Sequence, residues 1–353
     1  MSTLLQLFLI MSLYQATIIN AAPLPVQPKI IGGSPAGTTD WPWMAGILYN
    51  KNNATQVFCG ASLIAKDWVL TAGHCVYDEA PEDLAIIINR PNLFSTEGEH
   101  LTVEKIVVHP QFDIDNLTND IALLKLNQAS TMPPVETLPN FSNQDAAGKI
   151  STALGWGNIS TIRKIYPNKL QQVDLPIVSN EECRRRLNGI EDTMLCVGQI
   201  AGGKDTCDGD SGGPLMVFDE GSKTWRQAGL TSFGEGPCAA RGLYGVYTRL
   251  DLFKDFISEY VCTTETRPAA PKLTLTADGT KVTATWTKSD HATGYRLNYA
   301  SYPFFVPIES MELLQSTRFS IDLPKGSAYY VAINAYNGNC LSGYSNIERI
   351  IVQ

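Results

Sequence analysis

Between Ile30 and about Leu250 the chain sets its apolar residues in short runs, with Gly, Pro, Asn or Asp between them. Residues 61–64, 68–71, 84–88, 101–108, 121–126, 215–218 and 229–233 are examples. Short apolar or alternating runs between turn formers read as strands, and many in succession indicate a β-barrel or β-sandwich. Residues 251–261 break the pattern. Leu252, Phe253, Phe256, Ile257 and Tyr260 recur at helical spacing, which predicts one amphipathic helix closing this region.

At 353 residues the chain is too long for one small core, so two folded units are expected. After Cys262 comes Thr-Thr-Glu-Thr-Arg-Pro-Ala-Ala-Pro, a polar, proline-bearing stretch that reads as a linker. Beyond it a period of two is clear in Val282, Ala284 and Trp286, in Tyr295, Leu297 and Tyr299, and in Tyr329, Val331, Ile333 and Ala335. This predicts a second, smaller β-sandwich.

The formal net charge of −8 argues against nucleic acid as a partner, because phosphate binding needs clustered Lys and Arg. Residues 1–22 have an apolar centre followed by the small residues Ala16, Ala21 and Ala22. The stretch is too short and interrupted to span a bilayer, and a cleaved signal peptide fits, although Lys and Arg are missing from its start. No later apolar run reaches transmembrane length, so an exported, soluble protein is expected. Eight cysteines, none in a CxxC pair, agree with four disulfides formed in an oxidising compartment.

Three motifs carry the chemistry: Thr71-Ala72-Gly73-His74-Cys75, Asn119-Asp120-Ile121-Ala122-Leu123-Leu124 and Gly209-Asp210-Ser211-Gly212-Gly213-Pro214. In this order, His then Asp then Ser, they resemble the chymotrypsin–trypsin family of serine proteases over about residues 30–262. The resemblance implies an all-β fold: a two-barrel chymotrypsin-like domain with a C-terminal helix, followed here by the small sandwich. It implies a triad in which Ser211 attacks the peptide carbonyl, His74 is the base and Asp120 orients it. The backbone N–H groups of Gly209 and Ser211 would form the oxyanion hole.

The resemblance also places a substrate pocket. Asp205, six residues before Ser211, would lie at its floor and pair with Arg or Lys of the substrate. Thr206, Ser232, Phe233, Gly234 and Gly245 would line it, with Phe233 in place of the commoner tryptophan. Asp208 would sit at the rim and repel acidic residues beside the cut. Lys29-Ile30-Ile31-Gly32-Gly33 resembles an activation junction, with cleavage after Lys29 by a trypsin-like protease or by the enzyme itself. The new amino group of Ile30 would then pair with Asp210. Pairings Cys59–Cys75, Cys183–Cys196 and Cys207–Cys238 follow from the same resemblance. Cys262 and Cys340 remain, to bridge the two units or to join two chains.

The implied organisation is a signal peptide at 1–22, an activation propeptide at 23–29, the protease at 30–262, a linker at 263–270 and the sandwich at 271–353. The sandwich resembles a fibronectin type III or immunoglobulin-like domain, through Trp286, Gly294-Tyr295 and Leu323-x-x-Gly326-x-x-Tyr329-x-Val331. Tyr329 would be its corner tyrosine, bonded to the backbone. Tyr302, Phe304 and Phe305 are either a contact patch for a surface or polymer, or a structural rim. No cofactor is expected. No metal is expected either, because histidines at ligand spacing are missing and Arg90 stands where a calcium loop, of which Glu97 and Glu99 remain, would need a carboxylate. Sequons occur at Asn53, Asn116, Asn140 and Asn158. A secreted binding protein that kept the protease fold without activity is the rival reading.

Overall fold

A computed structural model describes residues 30–50, 56–137, 146–262, 267–337 and 340–353. After a two-residue strand at Ser34–Pro35, six strands follow: β1 (Met44–Tyr49), β2 (Cys59–Ala65), β3 (Trp68–Thr71), β4 (Leu84–Ile88), β5 (Glu99–Val108) and β6 (Ala122–Leu126). They close a barrel in the order β1-β2-β3-β6-β5-β4. The next six are β7 (Ile150–Gly155), β8 (Gln171–Val178), β9 (Met194–Val197), β10 (Pro214–Asp219), β11 (Thr224–Gly234) and β12 (Gly245–Arg249). Antiparallel pairing closes these into a second barrel, β7-β8-β9-β12-β11-β10, with the same topology as the first.

Strand β4 shows why these runs are apolar throughout instead of alternating. Leu84, Ile86 and Ile88 point into the first barrel. Their neighbours Ala85 and Ile87 face a second cluster, shared with Trp156, Met216 and Leu230 of the other barrel. A strand buried on both faces needs apolar residues at every position. The shared cluster therefore joins the barrels, and buried hydrogen bonds cross it, such as Ser62 Oγ to Gln227 Oε1 at 2.7 Å.

Two short helices follow from local signals. In α1 (Asn180–Arg184) the Ser179 side chain accepts from the Glu182 N–H at 3.2 Å, as a Ser-x-x-Glu start leads one to expect. In α2 (Lys254–Tyr260), preceded by a turn of 3-10 helix at Leu250–Leu252, Phe256 and Ile257 are buried. They join the cluster between the barrels, and the Phe253 and Phe256 rings flank His109 edge-on at 5.3 and 4.9 Å.

The remaining strands are β13 (Leu273–Asp278), β14 (Lys281–Trp286), β15 (Gly294–Ser301), β16 (Glu309–Glu312), β17 (Arg318–Asp322), β18 (Ala328–Asn337), β19 (Cys340–Leu341) and β20 (Glu348–Ile351). They form two antiparallel sheets, β13-β14-β17 and β16-β15-β18, with β19 and β20 both pairing β18. Leu273, Ala284 and Trp286 of one sheet meet Tyr295, Ile333 and Ala335 of the other in a core of their own. The Tyr329 ring lies edge-on to Tyr299 at 6.0 Å, and among the described residues its hydroxyl makes no backbone hydrogen bond. Tyr302, Phe304 and Phe305 lie exposed in the β15–β16 connection, with Phe305 stacked on Tyr330 at 4.3 Å.

Four disulfides are present. Cys262 bonds Cys340 within the one chain, tying the end of α2 to β19. Residues 1–29, which hold the expected signal peptide, propeptide and Lys29, lie outside the described residues, as do residues 263–266 of the expected linker and the sequons at Asn53 and Asn140.

Candidate active site

His74 sits in a single 3-10 turn directly after β3, and the Cys59–Cys75 disulfide fastens that turn to β2. Asp120 precedes β6 and is only 1% exposed. The pairing of β3 with β6 brings them together: Asp120 Oδ2 lies 2.8 Å from His74 Nδ1, and Oδ1 accepts the His74 backbone N–H at 2.9 Å. One carboxylate thus holds both the ring and the main chain of one histidine, which sets ring orientation and keeps the Nδ1 proton in place.

Two residues of the second barrel complete this arrangement. The Ser232 hydroxyl donates to Asp120 Oδ2 at 2.5 Å, and the Thr248 hydroxyl donates to the Asp120 carbonyl at 2.6 Å. Ser232 was expected beside the substrate, and its side chain is spent on Asp120. Thr248 was not singled out at all. It lies on β12, far from any motif, and only the approach of the barrels gives it this partner.

Ser211 belongs to the turn that leads into β10. Its carbonyl accepts the Gly60 N–H of β2 at 2.7 Å. The next residue, Gly212, has φ +74, and a Cβ there would lie 2.2 Å from Thr71 Oγ1 and 2.5 Å from the Gly60 carbonyl. The turn that carries Ser211 can therefore press against the end of β3, just before His74, only because residue 212 is glycine. Gly209, on the other side, has φ +94, again a conformation that side chains resist. Ser232, which bonds Asp120, also lines the cavity that Ser211 borders.

This cavity, of about 250 Å³, is lined by Asp205, Thr206, Ser232, Phe233, Gly234 and Gly245 among others. The structure brings the residues named from the sequence to this one cavity. The Cys207–Cys238 disulfide braces one wall. A Cβ at Gly245 would come within 3.0 Å of Asp205 Oδ1, whereas one at Gly234 would meet open space. Asp205 Oδ2 accepts the Ala239 N–H at 2.9 Å, while Oδ1 is buried without a hydrogen-bond partner. Burial pushes its pKa up to about 6, against the backbone N–H groups of Ala239 and Thr206, which favour the anion. Thr206 gives its hydroxyl contact to the buried Tyr247 phenol, at 2.9 Å.

Asp208 is at the exposed rim, as expected, but not as a lone charge. Lys164 lies 3.2 Å from it, so the rim carries an ion pair and the expected repulsion of acidic residues is offset.

Asp210 points away from the cavity into a fully buried site. Its carboxylate accepts the Gly157 and Cys207 N–H groups at 2.8 and 2.9 Å. A Cβ at Gly155 or Gly157 would lie 2.0 or 2.4 Å from that carboxylate. Desolvation raises its pKa to about 7. Ile30 is wholly buried in the second barrel, and the Ile31 carbonyl accepts the Asp205 N–H at 3.1 Å. The segment after the expected cleavage point is therefore bonded directly to Asp205, which lines the cavity.

Arg90 and Glu99, at the expected remnant of a calcium loop, have partners within the chain. Arg90 donates to the Glu97 carbonyl, and the Glu99 carboxylate accepts from Ser130 and Thr131. The Asn158 side chain is turned inward to the Ser160 carbonyl, whereas Asn116 is exposed. No helix among the described residues is long and apolar enough to cross a membrane.

The family model Trypsin matches residues 30–257. Tryptase from Mus musculus is 36% identical over 276 residues, which cover 73% of this chain and 98% of that protein. Kallikrein-1 from Mus musculus is 34% identical over 256 residues, 68% of this chain and 92% of its own length.

Proposed function

The chain belongs to the trypsin family, and from that premise we propose that it is a secreted serine endopeptidase that cuts after Arg or Lys and is made as an inactive precursor. The observation that carries the specificity is the buried, unpaired Oδ1 of Asp205 at the base of a cavity with no Lys or Arg in its lining. A desolvated carboxylate with a free acceptor is stabilised by an incoming guanidinium or ammonium.

In this reading Ser211 Oγ attacks the carbonyl carbon as its proton passes to His74 Nε2. The developing oxyanion lies against the Gly209 and Ser211 N–H groups. His74 returns the proton to the leaving amine, and water then repeats the sequence on the acyl-enzyme. Asp120, held by Ser232 and Thr248, keeps His74 turned toward Ser211 and stabilises the imidazolium. Cleavage after Lys29 frees the Ile30 amino group to neutralise Asp210. Without that cation a buried carboxylate lies behind the oxyanion turn, and a partner removed from such a pair typically costs about 3–5 kcal/mol. The C-terminal sandwich is read as a fibronectin type III-like module, residues 271–353, that tethers the enzyme. Protein substrates with Arg or Lys at the cut, and an activating trypsin-like protease, are the partners.

The test is to treat the purified precursor with a trace of trypsin, remove it, and assay Arg, Lys, Phe and Ala reporter peptides beside a Ser211→Ala control. Cleavage of Arg and Lys reporters alone, absent in the control, is the expected result. No cleavage by a chain whose N-terminus is Ile30 overturns the enzyme reading and favours a binding protein.

A further inference from the structure

The C-terminal sandwich is packed over only part of its length. At one end Leu273, Trp286, Ile333 and Ala335 are each at most 6% exposed. At the other, the two sheets flank a cavity of about 200 Å³. Val282, Ala284 and Phe319 bound it from one sheet, and Leu297, Met311 and Val331 from the other. No charged side chain lines it, and its only polar side-chain atoms are the hydroxyls of Tyr299 and Tyr329. Tyr299 gives its hydroxyl to Glu309 at 2.6 Å.

Protein interiors hold few voids larger than a water molecule. Water is a poor occupant here, because a buried water needs two to four polar partners. A closed apolar cavity of about 150 Å³ already takes up benzene, and this one is larger. It is also open to solvent. Ile321 and Met311, both lining it, are 41% and 38% exposed, so the entrance is itself apolar.

We propose that this inter-sheet cavity is a binding site for a small uncharged apolar molecule, a hydrocarbon ring system or alkyl chain larger than benzene. Recognition is by shape and desolvation. A charged head group drawn into the cavity would lose its hydration and find no ion partner on the lining. The site lies wholly in the sandwich and is independent of the chemistry proposed for the protease.

The full-length protein is titrated with the fluorescent probe N-phenyl-1-naphthylamine, and the probe is then displaced by naphthalene, 1-decanol and decanoate. Saturable probe binding is expected, with displacement by naphthalene or 1-decanol at concentrations at least about tenfold below that of decanoate. Ala284→Leu fills the cavity and abolishes binding. Because a larger side chain at this buried position strains the core, Ile321→Glu supplies the second variant. At a position already 41% exposed it leaves the fold intact and weakens binding about tenfold by charging the entrance. Near-ultraviolet circular dichroism checks that each variant is folded. Absence of saturable binding to the wild type, unchanged affinity in the folded variants, or decanoate binding as well as 1-decanol overturns the proposal.

Discussion

Asp205 is a buried group whose proposed part in binding and whose effect on stability share one physical origin, its desolvation. Its pKa of about 6 in the folded chain exceeds the usual 3.8, so between those values the folded state holds more protons than the unfolded one. Its contribution to stability therefore falls as pH rises across that window. Asp205→Asn is expected to raise stability at pH 7 by about 2–3 kcal/mol, measured by urea unfolding, while abolishing binding of aryl amidines. In the wild type, amidine affinity should fall up to tenfold per pH unit below about 6, which calorimetry over pH 4–8 would show. A flat profile removes Asp205 from the pocket. Ser232→Ala leaves Asp120 one donor short, and its expected effect is a loss of kcat of about tenfold with little change in KM. At the rim, Lys164→Ala strips Asp208 of its counter-charge. It should make cleavage severalfold more sensitive to Asp beside the scissile bond, as matched peptides would report.

Elements depend on their surroundings to different degrees. Strand β4 is five apolar residues bounded by turns, and its limits match the run visible in the sequence. Strand β5 begins at Glu99, two residues before its first apolar run position, because backbone pairing of Glu99 with Ile88 extends it irrespective of side-chain polarity. The helix read over residues 251–261 is split, with only Lys254–Tyr260 α-helical. The amphipathic period was legible; the 3-10 turn before it was not, because Leu250 is drawn into the cluster between the barrels and fixes the chain's entry angle. Phe256 anchors this helix on that cluster and on His109. Phe256→Ala should cost about 3–5 kcal/mol, read as a lower urea midpoint, with the active-site geometry little changed in the surviving fold.

At the scale of the whole molecule, the Cys262–Cys340 bond joins two units with separate cores. It closes a loop of 78 residues, so replacing both cysteines by serine should destabilise the sandwich by about 2–4 kcal/mol. Its melting transition would fall while cleavage of reporter peptides by the activated enzyme is retained. The wild type should run as a monomer in non-reducing electrophoresis, and a disulfide-linked dimer would contradict the intramolecular bond.

Short apolar runs and turn residues were enough to announce a β protein, because strand periodicity is a local property, whereas the grouping of His74, Asp120 and Ser211 came from the resemblance that the three motifs carry. The partners of Asp120 were not legible: Ser232 and Thr248 stand 112 and 128 residues away, and only the closing of one barrel against the other brings them to it. The same holds for Gly155, which reads as an ordinary glycine until the Asp210 carboxylate fills the space its Cβ would need. The ion pair at the rim and the cavity in the sandwich are likewise tertiary facts. They arise where side chains distant in sequence meet, or fail to meet, and no pattern along the chain records that.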